Sequence, residues 1–269
     1  MSPPAHSAGA LVERIVVNED RLAEAASEVF ITSAGRVIRQ ARFPHVFDAN
    51  VVRRPRLDPH DLDGTLSRLE APLRAVGARH LQLSCDGAAL PEPLRAALRT
   101  RRFLCDRLLA MWLPGAPARR PLPEVEVLRV PDGAPRASYA EVMERMSREE
   151  PWYSPLVARE IVGSLEAKAH AGAITLHVAR VEGCDAGAAG LSIDRAGRVG
   201  AVLTVGTLPE WRNRGVAQSL VLTLVAQARA AGCDLVYLLA RADDTPKDMY
   251  RKFGFETAFG FEVWLRPPM

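Results

Sequence analysis

The stretch from Leu203 to Ala217 has the residue types and order of a phosphate-binding loop. An apolar run ends at a polar turn with the order Arg-x-x-Gly-x-Ala, and an apolar helical pattern begins at once. This order directs backbone N–H groups to the N-terminus of a helix, where the helix dipole favours an anion. Gly215 lets a phosphate approach the backbone closely, and Arg212 and Arg214 add positive charge. We therefore predict a pyrophosphate site; the simpler interpretation is a strand–turn–helix with a capping glycine.

The residues that follow predict the elements that position this loop. Apolar residues recur at helical spacing from Val216 to Ala228, and the pattern stops near Gly232. A buried strand is expected over 234–240, followed by the order Tyr-Arg-Lys-Phe-Gly-Phe at 250–255. Two motifs in this order, with a helix and a strand between them, are more specific than either motif alone.

Both motifs resemble those of the GCN5-related N-acetyltransferase (GNAT) superfamily. The loop is similar to its acyl-CoA motif, Gln/Arg-x-x-Gly-x-Gly/Ala, and residues 250–255 are similar to its C-terminal Tyr-x-Lys-x-Gly-Phe. The resemblance implies that acetyl-CoA, or another acyl-CoA, enters between the strand before the loop and the strand after the helix. The cofactor-binding residues that it implies are Val205, Thr207, Arg212, Asn213, Arg214, Gly215, Val216, Ala217 and Asp243.

The resemblance also implies a catalytic residue, Tyr250, as the general acid that protonates a departing thiolate. The alternative is a tyrosine that only packs against the last strand. Asp243 lies where many relatives carry an Asn, and an ionised carboxylate accepts but does not donate a hydrogen bond. Arg241 and Asp244 are therefore alternatives for that contact, as is a solvated turn.

The sequence assigns no general base. The strand expected over 199–205 contains no carboxylate, Glu210 precedes the loop and is expected to face solvent, and His177 lies in the middle of a strand. An acid–aromatic group in the helical segment before the sheet suits a cationic amine, or is ordinary surface between helices. Its members are Glu149, Glu150, Trp152 and Tyr153.

Composition excludes several other classes of protein. The 269 residues are 48% hydrophobic, enough for two domains of moderate size, and no apolar run has the length of a membrane span. The formal charge is +3, and the short arginine clusters lack interleaved aromatic residues, so we expect no nucleic-acid partner. Four scattered cysteines predict neither a metal site nor a disulfide framework. With no signal-peptide pattern at the start, a cytoplasmic location is expected.

The chain also contains an internal repeat. Phe103 and Trp112 have the same separation as Phe255 and Trp264, and each pair follows an apolar strand and a helical segment. We predict a first domain at 1–115, a proline-rich linker at 116–123 and a second domain at 124–269.

The first copy lacks the residues of the cofactor site. Leu98 stands where the second copy has Tyr250. Residues 57–64 replace the loop with three carboxylates, which repel a pyrophosphate, and with Pro59, which has no N–H to donate. A strand is expected at 43–47, with a turn at 48–50.

The predicted fold class is α/β (α+β): two tandem GNAT-like domains, each with a mixed, mostly antiparallel central sheet flanked by helices. Two functions remain open at this point. One is an N-acetyltransferase that acts on the amine of a small molecule or peptide, and the other is a CoA-binding or regulatory module without catalysis. A monomer with pseudo-dimeric domains, or a homodimer, is expected. The acceptor, the acyl chain length and the role of the first domain do not follow from the sequence.

Overall fold

The computed structural model describes residues 7–85, 89–131, 137–149 and 154–268, which form seven helices and eleven strands. The helices are α1 (Ala8–Glu24), α2 (Leu62–Arg74), α3 (Glu92–Thr100), α4 (Ala137–Ser147), α5 (Pro155–His170), α6 (Val216–Ala230) and α7 (Pro246–Lys252). The strands are β1 (Glu28–Thr32), β2 (Gly35–Arg39), β3 (Val51–Arg53), β4 (Leu81–Cys85), β5 (Leu104–Trp112), β6 (Val125–Arg129), β7 (Thr175–Val181), β8 (Cys184–Asp194), β9 (Val199–Thr207), β10 (Leu235–Arg241) and β11 (Glu256–Arg266).

All eleven strands join in one sheet, in the order β1-β2-β3-β4-β11-β5-β10-β9-β8-β7-β6. Strands β3 and β4 pair in parallel, as do β9 and β10, and the other neighbours are antiparallel. Each parallel pair is connected through a helix, α2 in the first copy and α6 in the second. The mixed, mostly antiparallel sheet flanked by helices is therefore confirmed.

The two copies exchange their last strands. Strand β5 precedes the proline-rich segment but lies between β10 and β11, whereas β11 pairs with β4 of the first half. The β5–β11 register pairs Leu108 with Phe261 and Leu109 with Gly260. The repeat makes Phe103 equivalent to Phe255, and it therefore makes Leu108 equivalent to Gly260 and Leu109 equivalent to Phe261. The repeat thus converts each of the two pairs into the other. An approximate twofold axis therefore passes between β5 and β11.

The exchange also links the two cores. Trp264 of β11 is fully buried in the core of the first copy, together with Leu83 and Phe103. Leu109 and Met111 of β5 belong to the core beneath α6 of the second copy. The proposed linker at 116–123 therefore divides the sequence into two halves but does not separate the folded structure, because each half contributes a strand and core residues to the other.

The strand predicted at 43–47 is wrong. Residues 40–46 form turns, and a 3₁₀ turn follows at Phe47–Ala49. The Asn50 side chain donates to the carbonyls of Phe43 (2.8 Å) and Val46 (3.0 Å) and accepts from the backbone N–H of Gln40 (3.1 Å). These bonds satisfy backbone groups that would otherwise need hydrogen bonds to a neighbouring strand.

No helix in the described ranges is long and apolar enough to cross a membrane. The same ranges contain no group of three or more side chains placed to hold a metal ion.

Candidate functional site

The parallel pair β9–β10 separates at one end, and the separation lies beside the predicted loop. The two strands pair from Val199 to Val202 and from Leu235 to Leu238. Beyond these residues β9 continues with β8 and β10 continues with β5. The sheet therefore has an opening of the kind that the resemblance implies for the arm of acyl-CoA.

A β-bulge marks the start of this separation. Leu203 pairs with Gly190 and Gly206 pairs with Ala188, so β9 has one residue more than β8 between these pairs. Thr204, inside the bulge, has a φ of 48°. A bulge leaves its extra residue outside the ladder and bends the strand, and here it turns the end of β9 away from β10.

The predicted loop ends at an uncapped helix. Gly215 is the N-cap of α6, with a left-handed φ of 74°, and makes no side-chain capping bond. Among the described residues, no side chain caps the first N–H groups of α6, which leaves them for an anion.

The equivalent helix of the first copy is closed. Asp61 is the N-cap of α2, and its carboxylate accepts from the backbone N–H of Gly64 at 3.1 Å. An internal carboxylate thus occupies the position that an anion would take at α6. This geometry supports the prediction that the first copy kept the fold and lost the site.

A cleft of about 700 Å³ lies between the N-terminus of α6 and α7. It brings together most of the cofactor-binding residues predicted from the sequence. Its walls are Arg119, Thr207, Trp211, Arg212, Asn213, Gly215, Val216, Ala217, Gln218, Thr245, Pro246, Asp248, Met249, Lys252 and Phe253.

The polar residues at the cleft differ in their partners. Arg212 forms an ion pair with Glu149, next to the end of α4. Arg214 is not a wall of the cleft, and its guanidinium lies 5.0 Å from the centre of the Trp211 ring. The Thr207 hydroxyl oxygen is buried and has no hydrogen-bond partner in the described part of the chain. Thr207 is a wall of the cleft, and its hydroxyl is an unsatisfied buried polar group beside it.

Two further predicted residues are not walls of this cleft. Val205 packs, partly buried, against the core beneath α6. Asp243 is exposed, and its carboxylate accepts from Arg241 at 3.3 Å, an interaction that lowers its pKa. Their contact with a cofactor stays a prediction. Sequence reasoning did not identify Thr245, the N-cap of α7, or the α7 residues Pro246 and Met249, which form the opposite wall.

Tyr250 lies behind that wall. It is 6% exposed, and its ring centre is 6.4 Å from that of Phe253 and 6.2 Å from that of Phe255. Burial, with a contribution from the Asp244 carboxylate, raises the pKa of Tyr250 to about 12. The phenol is therefore fully protonated at neutral pH.

Glu210, considered as a base, and Glu149, a member of the acid–aromatic group, are both bound to arginines. Glu210 forms an ion pair with Arg145, and its own backbone N–H, followed by Arg145, lowers its pKa. Glu149 is held by Arg212. Residues 150–153, which include the rest of the predicted acid–aromatic group, lie outside the described residues.

His177 is a neutral, buried histidine away from the cleft. Its Nε2 is 3.1 Å from Oε1 of Gln227, and its side chain is fully buried. Burial lowers its pKa from 6.5 to about 4, although the bond to Gln227 opposes this change. Its role is structural, as the sequence suggested.

This lowered pKa predicts a dependence of stability on pH. The unfolded chain binds a proton at His177 below about pH 6.5, whereas the folded chain does so only near pH 4. Stability is therefore complete above pH 6.5 and falls as the pH approaches 4, by about 2 kcal/mol between pH 7 and pH 5. We expect His177→Gln to remove this part of the pH dependence, measured by urea unfolding at both pH values. The exposed His170 is the control: an equal effect of His170→Gln would contradict the assignment.

Comparison with known proteins supports the resemblance that the two motifs suggested. The model of the acetyltransferase (GNAT) family matches residues 139–255. No protein with a curated description matches the sequence significantly.

Solved structures match over almost the whole chain. A conserved protein of unknown function from Staphylococcus epidermidis ATCC 12228 has a TM-score of 0.73 and 15% identity, over 91% of this chain and 96% of its own. A GCN5-related N-acetyltransferase from Kribbella flavida has a TM-score of 0.64 and 16% identity, over 96% of both chains. A tandem GNAT protein from the clavulanic acid biosynthesis pathway has a TM-score of 0.55 and 16% identity, over 100% of this chain and 90% of its own. Identities this low show the fold alone. Residues 139–255 therefore form a domain of the acetyltransferase (GNAT) family, in a chain that has the fold of a tandem GNAT protein.

Proposed function

We propose that this protein is an N-acetyltransferase that moves the acetyl group of acetyl-CoA, or another acyl group, directly to the primary amine of a small molecule or peptide. The observation that carries the proposal is the open N-terminus of α6 beside the separation of β9 and β10. In the first copy the equivalent helix is capped by its own Asp61.

The residues of the cleft fit the chemistry of a CoA diphosphate. Gly215 has a left-handed φ of 74°, which favours glycine, and it places no side chain between the N-terminus of α6 and a ligand. Thr207 is also a wall of the cleft, and its buried hydroxyl has no hydrogen-bond partner in the described part of the chain. When bound, acetyl-CoA supplies a reactive thioester carbonyl and a thiolate leaving group.

The chain then has three tasks. The N-terminus of α6 binds the diphosphate, the separated strands orient the arm, and Tyr250 holds a proton close to the cleft. Holding the amine and the thioester together replaces a bimolecular encounter, which is a large part of catalysis for such reactions. Because Glu149, Glu210 and Asp248 are paired with arginines, the amine itself is expected to arrive neutral or to lose its proton to water.

Replacement of Tyr250 tests the catalytic role. Tyr250→Phe retains the ring beside Phe253 and Phe255 but removes the proton, so we expect kcat to fall by about a hundredfold. The KM for acetyl-CoA and the melting temperature should change little. The control is Tyr139→Phe, at a buried tyrosine of α4 outside the cleft. Wild-type kcat in Tyr250→Phe would remove the proposed general acid.

The alternative is a CoA-binding or regulatory module without transfer, and the pairing of Glu149 and Glu210 with arginines favours it. The two functions are distinguished by measuring release of free CoA thiol from acetyl-CoA with a panel of amines: alkyl amines, amino sugars, aminoglycosides and peptide N-termini. Amine-dependent release establishes the transferase. Tight binding of acetyl-CoA without release for any class of amine would favour the module.

A further inference from the structure

The proline-rich segment between the two copies is fixed to the second copy along its length. The N–H of Leu113 donates to the Val236 carbonyl, and the N–H of Ala118 donates to the Phe253 carbonyl, both at 2.9 Å. The N–H of Leu122 then donates to the Ser219 hydroxyl, also at 2.9 Å. The segment thus runs from the end of α7 to the first turn of α6.

This path makes the segment part of the cleft. Gln218, in the first turn of α6, donates through Nε2 to the Arg120 carbonyl at 2.7 Å. The Leu122 side chain packs against Gly215, so that a Cβ built there would overlap Leu122 Cδ1. Arg119 is exposed and is a wall of the cleft, together with Gly215, Gln218 and Lys252. A residue from between the copies therefore faces the predicted cofactor.

The charges in the cleft differ in how far they are already neutralised. Arg212 is paired with Glu149, and Asp248 is paired with Arg251 at 2.7 Å. Within the described ranges, neither Arg119 nor Lys252 forms an ion pair or a side-chain hydrogen bond. The cleft therefore contains two cations available to a ligand, in addition to the N-terminus of α6.

A CoA molecule carries two separate anionic groups, a diphosphate and a 3′-phosphate on the ribose. The N-terminus of α6 provides backbone N–H groups for one of them. A phosphomonoester needs point charges and side-chain donors, which Arg and Lys supply. We propose that Arg119, with Lys252, binds the 3′-phosphate, so that the segment joining the copies determines the specificity of the site for CoA. This inference rests on the proposed function.

The test is calorimetric titration of the full chain with CoA and with 3′-dephospho-CoA. We expect the wild type to bind CoA about tenfold more tightly, the effect of one or two charge-assisted contacts at a partly exposed site. Arg119→Ala and Lys252→Ala should each reduce this preference several-fold by weakening the binding of CoA, with the affinity for 3′-dephospho-CoA unchanged. The preference should also fall as the salt concentration rises.

Arg120→Ala is the matched control. Arg120 is adjacent to Arg119 and is also exposed. It contacts the second copy through its backbone carbonyl, and its side chain is not a wall of the cleft. This variant should keep the wild-type preference.

Three results would overturn the inference. If Arg119→Ala weakens both ligands equally, Arg119 does not recognise the 3′-phosphate. If the wild type binds both ligands with equal affinity, the inference fails while the cofactor site stands. If the wild type binds neither ligand, the proposed function fails with it.

Discussion

Gly215→Glu should abolish binding of CoA. The substitution places a carboxylate at the N-terminus of α6, where it competes with the diphosphate for the same N–H groups and repels it. Its Cβ also meets Leu122 at 2.1 Å. We expect the affinity to fall by about a hundredfold or more, equivalent to losing two charge-assisted hydrogen bonds of about 1.5 kcal/mol each. Calorimetric titration with acetyl-CoA measures the loss.

Two controls separate this effect from damage to the fold. Gly172 follows α5 with a φ of 72°, against 74° at Gly215, and nothing lies within 4 Å of a Cβ built there. Gly172→Glu therefore has the same left-handed strain, of about 1–3 kcal/mol, without touching the cleft. Leu122→Ala combined with Gly215→Glu removes the steric overlap, so a loss that persists is due to charge. Wild-type affinity in Gly215→Glu would show that the N-terminus of α6 does not bind the diphosphate of CoA.

The loop was predictable because its information is local. From Leu203 to Ala217 the apolar strand, the polar turn, the glycine and the helical pattern follow one another directly, and each constrains its neighbour. The capping of α2 by Asp61 is local as well. The sequence indicated three carboxylates in residues 57–64, and the structure shows that one of them, Asp61, caps the helix itself.

The arrangement of β5 and β11 was not predictable in this way. Both strands have the same spacing from Phe to Trp, and this spacing does not say which copy each strand joins. Which copy each strand joins depends on pairings across more than a hundred residues, and periodicity contains no information on that choice. The proline-rich segment is a similar case. Its composition correctly predicts that it forms neither a helix nor a central strand. Its contacts with Ser219 and Gln218 join residues far apart in the sequence, so local composition does not predict them.

The strand expected at 43–47 failed for a different reason. The stretch is apolar enough for a strand, but one polar residue after it, Asn50, binds three backbone groups. Asn competes with regular structure through such side-chain bonds, and the competition depends on where the backbone already lies.

The exchange of strands predicts that the second copy does not fold alone. A fragment of residues 114–269 contains every wall residue of the cleft, yet it lacks β5, the strand between β10 and β11. It also loses Leu109, Met111 and Leu113, which are 9%, 0% and 0% exposed. Their burial contributes about 1.5–3 kcal/mol each, which is comparable to the whole stability of a domain, about 5–15 kcal/mol.

A fragment of residues 104–269 is the matched comparison, because it restores β5 and these three side chains while still lacking the first core. We expect 114–269 to be aggregated or unfolded by size-exclusion chromatography and circular dichroism. The fragment 104–269 should be folded but less stable than the full chain, since β11 loses β4 and Trp264 loses Leu83 and Phe103. A monomeric 114–269 with a melting temperature near that of the full chain would contradict this prediction. The first copy would then serve neither the fold nor the cleft of the second, whereas the expected result makes the first copy a structural requirement for the proposed cofactor site.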